Sequence, residues 1–219
     1  MRVVAVALAT ALVLGACSSS DESATTATST RPRADAPVTT VPGSPPLAVV
    51  LGDSNIFLAT RELADALAKA GFTPVVRGIA GSGVKDDATD WVPAARAIAL
   101  ARPAVVVVAL GTNDAGLATD VQAFPARADA LLAALGPVPV VWLTHTEAGG
   151  GRAPADERRV NDAIRGLPVA HANVTVLDLA PLLAAHPKLL GTDELHYGAR
   201  GREWFADQVA EAATQTVPA

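Results

Sequence analysis

Seven consecutive apolar residues, Ala104-Val105-Val106-Val107-Val108-Ala109-Leu110, narrow what this chain can fold into. A strand that is apolar on both faces must be covered on both, as in a parallel sheet sandwiched between helices. Shorter apolar runs follow the same rule at Leu47-Ala48-Val49-Val50-Leu51 and at residues 73–76, 138–144 and 174–177. Between them, helical spacing covers residues 61–70 (closed by Gly71), 92–101, 155–164 and 201–213, and a further helix capped by Asp120 reaches Leu135. Pro74 predicts an edge position or a late start for the second strand, because proline cannot donate to a sheet ladder. The alternation predicts an α/β domain, a three-layer α/β/α sandwich with a central parallel sheet of about five strands. Right-handed crossovers gather the strands' C-terminal ends along one edge, where open α/β sheets bind ligands.

Hydrophobic residues make up 50% of the 219 but aromatics only 4%, so the core must be built from Ala, Val and Leu. The net charge of −5, with no long basic stretch, argues against nucleic acid as a partner. The one cysteine, Cys17, excludes an internal disulfide. It follows Met1-Arg2, an apolar run and Gly15-Ala16, the pattern of a secretory signal over residues 1–16. Leu14-Gly15-Ala16-Cys17 resembles the bacterial lipobox, which implies a lipidated Cys17 and membrane anchoring on the extracytoplasmic face. The alternative is an ordinary signal peptide cut nearby, with Cys17 incidental. Residues 17–46 are rich in Ser, Thr and Pro and predict a disordered tether, leaving residues 47–219 as the folded head.

Two polar turns follow apolar strands on the expected edge: Gly52-Asp53-Ser54-Asn55 after the first and Gly111-Thr112-Asn113-Asp114 after the third. Asp193-Glu194-Leu195-His196 precedes the last helix. A serine becomes a useful nucleophile when an imidazole takes its proton, and the imidazole needs a carboxylate to fix its tautomer. Asp193 and His196, three residues apart, can meet across one turn. An asparagine amide and backbone N–H groups suit a developing oxyanion.

Gly-Asp-Ser, Gly-x-Asn-Asp and Asp-x-x-His in this order resemble three of the four sequence blocks of the SGNH (GDSL-like) hydrolases, across the whole head. The resemblance implies a flavodoxin-like fold and a serine esterase or acyltransferase needing no cofactor and no metal. Its substrate would be a small-molecule or glycan ester, or a membrane lipid ester. It implies Ser54 as nucleophile, His196 as general base and acid, and Asp193 as its orienting carboxylate. Asn113 and the N–H groups of Ser54 and Gly81 would form the oxyanion hole, with Gly78 the rival for the glycine's place. The chain departs from the family at Asn55, where many members have Leu, and at Tyr197, where Pro is frequent. Asn55 is therefore expected in the pocket wall.

Asp53 reads as organising the nucleophile turn, and Asp114 as positioning Asn113 or capping a helix. His145 follows the fourth strand on the active edge and is a candidate for the substrate pocket. His171 and His186 lack an acidic partner at a telling spacing and read as surface residues. Gly149-Gly150-Gly151 marks a mobile loop over the same edge, a candidate lid. The glycines from Gly78 to Gly83 lack dinucleotide spacing, and no Gly-x-Ser-x-Gly elbow is present. The competing function is a catalytically silent surface lipoprotein that binds a glycan or protein with the same cleft. On the lipobox reading, Cys17→Ser moves the protein out of the membrane fraction with ester turnover intact. Mass spectrometry finding an unlipidated wild-type N-terminus would refute the anchor.

Overall fold

The computed structural model describes residues 43–86, 89–116, 121–147 and 149–217, within one unit, Val38–Ala219. The signal segment, Cys17, most of the tether and Asp120 lie outside the described residues. Five strands, β1 (Leu47–Gly52), β2 (Thr73–Gly78), β3 (Val105–Ala109), β4 (Val140–Leu143) and β5 (Val174–Leu177), form one parallel sheet. Its order is β2-β1-β3-β4-β5, the flavodoxin-like arrangement. The order reverses between β1 and β3, and the C-terminal crevice at that reversal is where such sheets bind ligands.

Strand alternation divides the apolar residues between two cores. Ala48, Val50, Val105, Val107, Val141 and Leu143 face one layer; Val49, Leu51, Val106, Val108, Val140 and Trp142 face the other. The first layer holds α1 (Ser54–Leu58), α2 (Thr60–Lys69), α7 (Ala180–Ala185) and α8 (Ala199–Thr216). The second holds α3 (Val92–Leu100), α5 (Phe124–Leu135) and α6 (Pro154–Ala170). A short helix, α4 (Thr112–Gly116), follows β3. Two aromatic pairs brace the packing: Trp142 of β4 meets Phe124 of α5 edge-on at 6.2 Å, and Tyr197 stacks on Phe205 of α8 at 4.4 Å.

β2 is an edge strand that starts at Thr73, so Pro74 is accommodated by position rather than by a late start. Its exposed side also explains Val75, which is 49% accessible. α6 runs past the expected end at residue 164, through Pro168 to Ala170. Burial of Val160, Ile164 and Leu167 fastens this stretch to the sheet, and the His171 N–H closes its last turn on the Leu167 carbonyl at 3.0 Å.

The glycines after β2 serve different ends. A Cβ on Gly78 would drive into the Phe57 backbone, 2.6 Å from its Cα, so Gly78 permits α1 to lie against β2. Gly81 has φ +79° in the turn closed by Ser82 N–H on the Ile79 carbonyl, and a Cβ there meets open space. Gly78→Ala is expected to cost at least about 3 kcal/mol, the upper range for overpacked sites. Gly81→Ala should cost about 1–2 kcal/mol, from backbone conformation alone. Urea denaturation of both variants checks the ranking, and a less stable Gly81 variant would contradict it.

Candidate active site

Ser54 opens α1 directly beyond β1. Asp53 is the N-cap, its Oδ1 accepting the Asn55 N–H at 2.9 Å, and Asp53 N–H reaches the Ala109 carbonyl at the end of β3. The turn thus ties β1 to its neighbour and leaves the Ser54 N–H among the helix's unpaired first-turn donors.

Ser54 Oγ lies 2.8 Å from His196 Nε2, and His196 Nδ1 lies 2.7 Å from Asp193 Oδ2. The sequence-predicted Ser, His and Asp are therefore joined in one relay. Asp193 Oδ1 also accepts the N–H groups of Leu195 and His196, both at 3.1 Å. These bonds, with the His196 contact foremost, hold the Asp193 carboxyl down at about 2, ionised at any working pH. The loop is clasped at its base: Gly191 N–H donates to the His196 carbonyl at 2.7 Å, and Leu190 bridges Tyr197 antiparallel. Glu194 takes φ +56° to make the bend between Asp193 and Leu195.

Asn113, in the first turn of α4, is buried and fixed at both ends of its amide. Its Nδ2 donates to the Ser82 carbonyl at 3.0 Å, and its Oδ1 accepts from Arg152 at 3.2 Å. The Ser82 contact draws Asn113 to the turn that carries Gly81. Asp114 is fully buried, accepts the Val84 N–H at 3.0 Å and pairs with Arg127 at 3.5 Å. Asp114 therefore anchors the loop after β2 to α4, supporting Asn113 indirectly. Arg152 gave no signal in the sequence, because nothing in its spacing ties it to Asn113.

Asn55 has a role the sequence did not suggest. Its Nδ2 donates to the Leu195 carbonyl and its Oδ1 accepts the Tyr197 N–H, both at 3.4 Å. It straps α1 to the residues on either side of His196, besides lining a small cavity. The two departures from the family pattern are partners: a proline at 197 would have no N–H to give Asn55.

His145 departs from its expected place in the substrate pocket. It is 8% exposed and, with Asp53 and Asn55, lines a cavity of about 20 Å³, room for one water and not for a substrate. Burial, then the charges of Arg152 and Arg165, push its pKa down to about 3, so the ring is neutral. His171 does have an acidic partner, Asp129 at 2.8 Å, which lies 42 residues away on α5 and so escaped a reading by local spacing. The Gly149-Gly150-Gly151 run, expected as a mobile lid, forms a turn closed by the Arg152 N–H on the Gly149 carbonyl and tied to Glu157 Oε2. A larger cleft of about 780 Å³ lies beside the relay loop, between Thr146, Arg165, Leu183, Lys188 and Glu194. Among the described residues no group of three or more His, Cys, Asp and Glu side chains could hold a metal ion.

A parallel α/β sheet carrying this relay and these donors at its C-terminal edge defines an enzyme that acts on esters, as a hydrolase or acyltransferase. The chain belongs to the GDSL-like lipase/acylhydrolase family, whose model matches residues 50–204. Among solved structures it is similar to a lipase/acylhydrolase from Enterococcus faecalis, at 20% identity and a TM-score of 0.67 over 78% of this chain and 97% of that one. It is also similar to the C-terminal catalytic domain of peptidoglycan O-acetyltransferase A from Streptococcus pneumoniae, at 20% identity and TM-score 0.59, covering 80% and 96%. A carbohydrate esterase of family 3 from Talaromyces cellulolyticus matches at 21% identity and TM-score 0.61, covering 78% and 98%. At these identities the likeness is one of fold. No curated protein matches the chain.

Asp53 is 1% exposed with Oδ2 unpaired, and burial raises its pKa from 3.8 to about 6 against the Asn55 N–H and Thr112 contacts. A carboxyl that binds its proton more tightly when folded stabilises the fold less as pH rises from 3.8 through 6. The deficit at neutral pH is about 3 kcal/mol. Asp53→Asn keeps the capping oxygen and cannot ionise, so it should exceed wild type in stability above pH 6 and lose that advantage near pH 4. Thermal melts at pH 4 and 7.5 check this; a difference independent of pH would contradict it.

Proposed function

We propose that this chain is an extracytoplasmic serine esterase or acyltransferase that carries a short O-acyl group on Ser54 and passes it to water or a sugar hydroxyl. The observation that carries the reading is the 2.8 Å contact from Ser54 Oγ to His196 Nε2, backed by Asp193. In the acylation half, Ser54 Oγ attacks the ester carbonyl while His196 Nε2 takes its proton. Asp193, ionised and bonded to Nδ1, stabilises the imidazolium. The carbonyl oxygen becomes an oxyanion facing the free N–H of the Asn113 amide and the N–H groups of Ser54 and Gly81. His196 then protonates the departing alkoxide. In the second half His196 takes a proton from water or a hydroxyl, whose oxygen attacks the acyl carbon, and gives that proton to Ser54 Oγ as the acyl–Oγ bond breaks.

The peptidoglycan O-acetyltransferase and the carbohydrate esterase share the fold, and the 780 Å³ cleft along Gly191, Thr192 and Glu194 of the relay loop is of a size that suits a sugar-bearing alcohol. Anchoring through Cys17, with residues 18–46 as a tether, would hold the head near cell-wall glycans. A membrane lipid ester is the competing substrate.

Purified protein should therefore hydrolyse an aryl acetate and deacetylate an O-acetylated glycan, or acetylate one from the aryl ester. Ser54→Ala should lower kcat by about 10³-fold or more without loss of fold. A serine-directed phosphonate should label wild type at Ser54 only. Substantial turnover by the Ser54 variant would overturn the assignment, and absence of turnover by folded wild type would favour the silent binding protein.

A further inference from the structure

Glycines at two places determine where one side chain, that of Arg152, lies: Gly116 leaves room for it, and Gly150 and Gly151 form the turn that delivers it. A Cβ on Gly116, at the end of α4, would collide with the Arg152 side chain, 2.5 Å from its Cδ. The turn that delivers Arg152 has φ +40° at Gly150 and +82° at Gly151, backbone that residues with a Cβ adopt at a cost. A Cβ on Gly150 would also fall 2.8 Å from the Asp193 carbonyl and 3.1 Å from Leu195 Cβ. The turn is thus pressed against the loop of the relay, is held from behind by Glu157 Oε2 on the Gly149 N–H at 3.1 Å, and sends Arg152 to Asn113.

We propose that Arg152 is a positioning residue for the oxyanion donor: its guanidinium fixes the Asn113 amide so that one N–H remains directed to the reacting carbonyl. This rests on the functional reading above. The amide has one oxygen acceptor and two N–H donors. Arg152 occupies the oxygen and the Ser82 carbonyl occupies one N–H, leaving a single free donor. A flipped amide would set its NH₂ against the guanidinium and its oxygen against the Ser82 carbonyl, donor to donor and acceptor to acceptor. Arg152 excludes that state. Its positive charge also polarises the amide, which strengthens the remaining N–H as a donor.

The test is a double-mutant cycle on kcat with the aryl acetate substrate, using melting curves to establish folding. Asn113→Ala should lower kcat by about 10²–10³. Arg152→Ala should lower it by about 10–10² with KM within about twofold, and the double variant should be no slower than Asn113→Ala alone. Added guanidinium ion should restore part of kcat to Arg152→Ala and none to the double variant. Should Arg152→Ala fail to fold, Gly116→Ala displaces the guanidinium while retaining it, and its kcat loss should likewise vanish in the Asn113→Ala background. Additive losses, or a change confined to KM, would overturn the proposal while leaving Ser54 labelling and wild-type turnover intact. Loss of those two would instead remove the functional reading itself.

Discussion

The site depends on how closely the backbone is packed where β1 ends. A Cβ on Gly52 would overlap Ile56 and stand 2.8 Å from the Ala109 carbonyl, so only a glycine lets the chain leave the sheet this tightly. Gly52 and Asp53 are tied to both neighbouring strands: the Gly52 carbonyl accepts the Ile79 N–H at 2.9 Å, and Asp53 N–H reaches Ala109. The loops after β1, β2 and β3 are consequently drawn to one point at the reversal of strand order. Ser54, the Gly81 turn and Asn113 are the residues those loops deliver. The relay loop enters from the opposite side of the sheet order and needs its own fastening, which Asn55 supplies.

Charge is distributed around this point in an unexpected way. The most perturbed carboxyl and imidazole, Asp53 at about 6 and His145 at about 3, are buried and flank a water-sized cavity. Asp193, which meets His196, has a side chain 51% exposed and is lowered by hydrogen bonds rather than raised by burial. Perturbed titration often marks a functional site. Here it marks the framework beneath the site, and the catalytic proposal rests on geometry. The difference is physical: a carboxylate that must stabilise a transient imidazolium works best ionised and well bonded, whereas Asp53 is buried because a cap under a helix next to the sheet has nowhere else to stand.

The sheet was legible because burial on both faces makes the central strands, β1, β3 and β4, uniformly apolar, while Pro74 in the half-exposed β2 left open an edge position or a late start, of which the fold takes the first. The relay was legible because its members sit at strand ends and three residues apart, arrangements that spacing can express. Helices α1, α4 and α7 were not legible. At five or six residues they are too short to show a period, and strand-end geometry and caps make them. The continuation of α6 through Pro168 was lost because tertiary burial outweighed a local breaker. Arg152 and the His171–Asp129 pair depend on contacts across 39 and 42 residues, which only the folded chain brings together.

Asn55 and Tyr197 show how a departure from a family pattern can be read only as a pair. A leucine beside the nucleophile and a proline after the histidine present neither donor nor acceptor to each other, and the fixed φ of proline can hold the backbone without a strap. Asn55 and Tyr197 replace that arrangement with two long hydrogen bonds across His196. Changing one member alone would be worse than changing both. Leucine at 55 would leave the Tyr197 N–H and the Leu195 carbonyl without partners in a part-buried site, and proline at 197 would leave the Asn55 oxygen so; unsatisfied polar groups of this kind cost about 1–3 kcal/mol each when buried. Tyr197 has a second attachment that proline could not replace, its stack on Phe205 at 4.4 Å. The backbone around His196 is therefore fastened from both sides, by a polar strap toward the nucleophile and by an aromatic contact toward α8, in addition to the bonds Asp193 and Gly191 make to His196 itself.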